Sequence, residues 1–146
     1  MNATFFVSKS RDMITAYNKM CEAVLEEFDL QQVSFDILMF LANNPEYTTA
    51  QEISEIRNIK KNLVSVHVEK LVQMGYLSRS SVAEDRRKVN LSCTDSAKPI
   101  IDAGRAAQER FYKCITEGIA SEKWKIYEEI HMTIDDNIQG ILQKGV

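Results

Sequence analysis

The sequence predicts a mainly α fold carrying a small β-hairpin wing, on three observations. Apolar residues recur at three- and four-residue steps over most of the chain, as amphipathic helices require. The period drops to two in one short stretch, where Val89, Leu91 and Cys93 alternate with Asn90 and Ser92 as in a half-buried strand. Basic charge is concentrated in the middle. Between Arg57 and Lys88 eight basic residues stand against three acidic ones, so this segment carries +5 while the rest of a chain of net charge −3 carries −8.

The elements follow in order. A first helix is expected from about Phe6 to Phe28, its stripe formed by Met13, Ile14, Tyr17, Met20, Cys21, Val24 and Phe28. Ser34 suits the N-cap of a short apolar helix, Phe35 to Ala42, which Asn43, Asn44 and Pro45 stop. Thr49-Ala50-Gln51-Glu52 is a capping-box pattern and opens a third helix. A turn from Arg57 to Lys60 leads to a fourth, Lys61 to Met74, with Val64, His67, Val68, Leu71 and Val72 inward and Gly75 as its left-handed terminator. Tyr76 to Ser81 and Val89 to Cys93 read as two strands joined by a charged loop, Ala83 to Lys88. The helical period then returns through Ile100, Ile101, Ala107, Phe111, Cys114, Ile115 and Ile119. A last helix carries Trp124, Tyr127, Ile130, Ile134, Ile138, Ile141 and Leu142, and Gly118 and Ser121 punctuate between the two. Three long amphipathic stripes beside a small central unit are more readily buried if a second copy supplies the other half, so a homodimer is expected.

At 146 residues the chain can bury a core without disulfides or metals. Its longest apolar run, Ile37 to Ala42, is too short to cross a bilayer, and the N-terminus has no signal-peptide apolar region. Cys21, Cys93 and Cys114 have no metal-like spacing and suit a reducing compartment, so the expectation is a cytoplasmic protein with no membrane association, metal or cofactor. Enzyme classes lack their parts. There are two histidines, His67 and His131, and no Gly-rich phosphate loop, HExxH or nucleophile-elbow motif.

The run from Ser34 to Ala97 resembles the MarR (multiple antibiotic resistance regulator) family. Ser34-Phe35-Asp36-Ile37-Leu38-Met39-Phe40-Leu41 is similar to its second helix and Thr48-Thr49-Ala50-Gln51-Glu52-Ile53 to its third. Val64 to Leu71, then Met74-Gly75-Tyr76-Leu77-Ser78-Arg79, is similar to its recognition helix and wing entry. Glu84-Asp85-Arg86-Arg87-Lys88-Val89-Asn90-Leu91-Ser92-Cys93-Thr94 is similar to its wing. The chain departs from the family pattern at Lys60, Lys61 and Val66, where Ser or Thr and an Arg are frequent, and at Ala97 and Pro99, where a Gly is usual.

The resemblance implies one winged helix-turn-helix domain over 1–146: a DNA-binding lobe at 30–97 between dimerisation helices at 1–29 and 98–146. It implies a sequence-specific regulator of transcription, a ligand-responsive repressor that binds a pseudo-palindromic operator in double-stranded DNA as a homodimer. On the recognition helix, Asn62 and Ser65 are placed to bond base edges, Val66 to touch a thymine methyl, and Lys60, Lys61 and Lys70 to meet phosphates. In the wing, Asp85, Arg86, Arg87 and Lys88 suit the minor groove, with Asp85 holding the Arg87 guanidinium. A small-molecule effector would sit in an aromatic cleft drawn from Tyr17, Phe28, Phe40, Phe111 and Tyr112. Two alternatives stay open: a winged-helix module that binds protein, and a regulator that senses oxidants through Cys21.

Overall fold

The computed structural model describes residues 1–82 and 84–144, with the side chains of Val82, Asp85 and Arg86 outside the description. Among the described residues the order is α1 (Ala3–Phe28), α2 (Gln32–Asn43), α3 (Ala50–Arg57), α4 (Lys61–Gln73), β1 (Leu77–Val82), β2 (Asp85–Cys93), a 3-10 turn (Asp95–Ala97), α5 (Lys98–Thr116) and α6 (Ser121–Lys144). The expected mainly α fold with a hairpin wing is what forms. The chain divides into two compact units, Met1–Phe111 and Tyr112–Val146.

In the first unit α2 is the hub. Phe35, Ile37, Leu38, Met39, Phe40 and Leu41 are all buried, on every side of the helix. A helix apolar all round is stable only when other elements enclose it. Here α1 contributes Cys21 and Val24, α3 Ile53, α4 Val64, Val68 and Leu71, the hairpin Leu77 and Leu91, and α5 Ile100, Ile101 and Ala107. At Gly104 an added Cβ would lie 2.5 Å from the Met39 sulfur and 3.0 Å from the Phe35 ring, so a glycine is what lets α5 pack this closely.

The caps explain the boundaries. Asn2 accepts from the Phe5 N–H and starts α1 three residues earlier than expected. Thr49 and Glu52 form the expected capping box at α3. Gly75, at φ +82, ends the α4 segment in the conformation glycine tolerates best. Ser34 is a correction: α2 begins at Gln32, so Ser34 lies inside the helix and is no cap. Its hydroxyl is instead bonded to His67, 33 residues away.

β1 and β2 are antiparallel, with Leu77 opposite Cys93, Ser81 opposite Val89, and an irregularity between Ser81 and Val82. A second correction follows. Asp85 to Lys88 belong to β2, so most of the expected charged loop is strand. Val89, expected to face inward, is 41% exposed, because the hairpin has left the core by that point; Leu91 is buried. Thr48 adds to the base of the hairpin, its carbonyl accepting from Leu91 N–H (2.7 Å) and its hydroxyl donating to Asn90 (2.9 Å).

In the second unit Trp124 is flanked by Tyr112 in edge contact (5.5 Å) and Tyr127 (4.9 Å), and its indole N–H donates to Glu128. No residue of α6 is buried; Ile126, Ile130, Ile138, Ile141 and Leu142 are exposed.

Candidate nucleic-acid interface

The helix-turn-helix is built from α3 and α4. Asn58, at φ +51, ends α3 in the left-handed region, which the short Asx side chain tolerates. Ser54 donates to the Ile59 carbonyl and closes the turn (2.6 Å). α4 then divides by face. Val64, His67, Val68 and Leu71 are buried, whereas Lys61, Asn62, Leu63, Ser65, Val66, Glu69 and Lys70 are exposed. Val66, expected from sequence to touch a thymine methyl, is 50% exposed on this outer face.

α4 is fixed to α2 at two points. Ser34 and His67, 3% and 6% exposed, form a 2.8 Å bond between hydroxyl oxygen and Nδ1. Burial, and secondarily the charge of Lys70, holds the His67 pKa below its ordinary 6.5. Lys70 donates to the Gln31 side chain (2.8 Å), so one cation expected on phosphate is engaged within the fold.

The wing lies beside this helix. Arg79 on β1 donates to Glu69 on α4 (2.7 Å), and Gln73 donates to the other carboxylate oxygen (3.2 Å). These bonds, Arg79 first, keep the Glu69 carboxyl below the usual range. Arg87 and Lys88 are exposed on β2, and with Val89 they form one side of a groove of about 430 Å³. Thr49 to Glu52 and Glu55 at the start of α3 form the other. A smaller hollow of about 140 Å³ brings Ser65 together with Ala50, Arg79 and Val89. Ser65 of α4, the α3 N-terminus and the hairpin therefore converge, which the linear sequence does not reveal. Lys60 lies at the start of α4 and is exposed. The expected roles of Asp85 and Arg86 fall on side chains outside the described residues.

A separate cleft of about 540 Å³ opens in the same unit. Met13, Ile14, Tyr17, Met39, Phe40 and Phe111 form its apolar wall, and Asn18, Asp36, Asn43, Asn44, Arg57 and Gln108 are its polar lining. Tyr17 and Phe111 meet edge to face at 5.3 Å. Three of the five expected effector residues, Tyr17, Phe40 and Phe111, are thus brought together. Phe28 instead packs against the core, and Tyr112 against Trp124. Desolvation pushes the Tyr17 phenol up to about 12, so it stays protonated. Asp36 was missed from sequence as part of this site; burial raises its pKa, while a bond from Gln32 and the charge of Arg57 oppose the rise.

Cys21 and Cys93 show little preparation for redox work, whereas Cys114 is exposed. Cys21 is fully buried, and desolvation pushes its thiol and that of Cys93 above the ordinary value, away from the reactive thiolate. Among the described residues no group of His, Cys, Asp and Glu is placed to hold a metal, and no helix is long and apolar enough to cross a membrane.

Known proteins share this outline. A family model described as the MarR family matches residues 28–88. An uncharacterized HTH-type transcriptional regulator, YdgJ of Bacillus subtilis, is 23% identical over 112 residues, 77% of this chain and 68% of that protein. A MarR protein of Peptoclostridium difficile shares the fold at a TM-score of 0.84 and 18% identity, over 99% of this chain and 94% of its own. Two structures solved with DNA also share it. The S. aureus MepR–DNA complex has a TM-score of 0.74 and 17% identity, over 94% of this chain and 96% of that one. A putative MarR-family regulator of Listeria monocytogenes with a 26mer DNA has 0.78 and 14%, over 92% and 93%.

Proposed function

We propose that this chain, whose residues 28–88 match the model of the MarR family, is a homodimeric, ligand-responsive repressor of transcription acting in the cytoplasm on a pseudo-palindromic operator. One observation carries the reading. The outward face of α4, with Asn62, Ser65 and Val66, lies beside a wing bearing Arg87 and Lys88, on a core that holds both in place. A helix enters the major groove with such polar and small apolar groups outermost, while an adjacent basic strand meets the backbone and minor groove. The dimer is supported by the apolar surface left on α6 and by exposed Phe5, Phe6, Val7, Met13 and Ile14 on α1. The ligand response is supported by the cleft that Tyr17, Phe40 and Phe111 share.

Selection of bound fragments from genomic DNA, followed by titration of the enriched site, tests this reading. A palindrome with half-sites roughly 34–36 Å apart is expected. So is an affinity that falls with salt by about 0.9 in log–log slope per neutralised phosphate. Enrichment of no sequence, or a stable monomer by light scattering at micromolar concentration, overturns it.

A further inference from the structure

Hydrogen bonds tie several of the cleft's amides and its tyrosine to one another. Arg105 Nε donates to Asn43 Oδ1 (3.1 Å), Asn43 Nδ2 to Gln108 Oε1 (2.9 Å), and Gln108 Nε2 to the Tyr17 hydroxyl oxygen (2.9 Å). Asn44 Nδ2 donates to the Phe40 carbonyl (2.9 Å). Each amide link takes one N–H of an amide that carries two and ties these side chains to the fold. Asp36 is the opposite case. Among the described residues its carboxyl accepts one hydrogen bond, from Gln32 (2.9 Å), and forms no ion pair. A carboxylate has about four acceptor sites, so most of its capacity remains, in a half-buried position on the cleft wall.

We propose that this cleft binds a flat aromatic cation, an amidine or protonated amine on a ring system, with its positive group on the Asp36 carboxylate and its ring against Tyr17, Phe40 and Phe111. The proposal rests on the cleft being the effector site and names the class of effector it takes. Ring faces attract cations through their quadrupole, and an amidinium pairs with a carboxylate through two parallel N–H bonds. Arg57 also lines the cleft and is the natural rival for an anion. It is exposed and keeps its hydration, whereas Asp36 is partly desolvated, and a charge interacts more strongly where the local dielectric is lower.

The test uses the full chain without DNA and two fluorescent isosteres, 2-naphthamidine and 2-naphthoate, followed by emission and anisotropy. The wild-type protein is expected to bind the amidine about tenfold more tightly or better, the value of a charge-assisted hydrogen bond. Asp36→Asn, checked for folding by circular dichroism, should lose that factor for the amidine and leave the naphthoate unchanged or improved. Naphthoate binding as tightly as the amidine to the wild type overturns the proposal, and this comparison needs no variant. So does amidine binding that survives Asp36→Asn in a folded protein. An amidine that binds through Asp36 but leaves operator affinity unchanged upholds the ligand class and refutes the ligand-responsive reading.

Discussion

Removing the Ser34 hydroxyl tests whether the recognition helix is pinned to α2 by a buried polar contact. The hydroxyl and His67 Nδ1 are 2.8 Å apart, with both residues almost fully enclosed. Ser34→Ala deletes one partner and leaves the imidazole nitrogen dry and unpaired, which costs about 1–3 kcal/mol. For a chain of this length that is roughly 3–10 °C in Tm. His67→Ala removes the same bond and opens a cavity, so it should cost more, while the double variant should cost less than the sum. Urea unfolding at fixed protein concentration measures all three. The pH dependence adds an independent reading. Desolvation first, and Lys70 second, keep the folded pKa of His67 below 6.5. The unfolded chain therefore takes up a proton that the folded chain still refuses. Stability is level above this window, falls as pH drops through 6.5 toward the folded pKa, and levels again below it. His67→Gln should flatten that segment. A Ser34→Ala variant within about 0.5 kcal/mol of wild type, the usual range of a surface change, would refute the pinning argument, as would an unaltered pH profile in His67→Gln.

Four further outcomes are expected. Thr49→Ala breaks the α3 capping box and should cost about 1 kcal/mol in urea unfolding. The Thr48 and Thr49 backbone bonds lower the Glu52 pKa, so its contribution should be present above the unfolded carboxyl pKa and vanish as pH falls through the folded one; Glu52→Gln should remove that acid-limb loss. Asn62→Ala or Ser65→Ala should cost about 1–3 kcal/mol on the selected operator and less on random DNA, by polarisation titration; equal losses would deny them a reading role. Lys88→Ala should weaken binding to any DNA. It should lower the salt slope by about one unit for each phosphate no longer neutralised, or about two in a symmetric dimer, and an unchanged slope would take Lys88 off the phosphates.

Much of the fold was legible because its signals are local. The Thr49-to-Glu52 box, the positive-φ Gly75 and the inward set Val64, His67, Val68 and Leu71 each depend on residues within about a turn of one another. Ser34 misled for the same reason. A serine ahead of an apolar helix fits an N-cap on local grounds, but its hydroxyl answers to a histidine that only tertiary folding brings near. The charged segment misled in another way. Turn-like composition suggests a loop, yet backbone pairing carries β2 out to Asp85, since exposed strands tolerate any charged side chain that points to solvent.

The site was legible in residue type more than in arrangement. Periodicity finds which α4 residues face outward, because the inward ones are apolar. It cannot find that Lys70 is held by Gln31 or that Glu69 is neutralised by Arg79, because long polar side chains choose partners on other elements. The cleft shows the same limit. Tyr17, Phe40 and Phe111 could be proposed as aromatic, but Asp36 is a single carboxylate in an apolar helix, and nothing in its local sequence marks it as part of a site. Its importance comes from what surrounds it: a wall of amides that bond each other and leave a carboxylate with acceptors to spare. A sequence names donors and acceptors, whereas ligand selectivity depends on which of them the fold has already used.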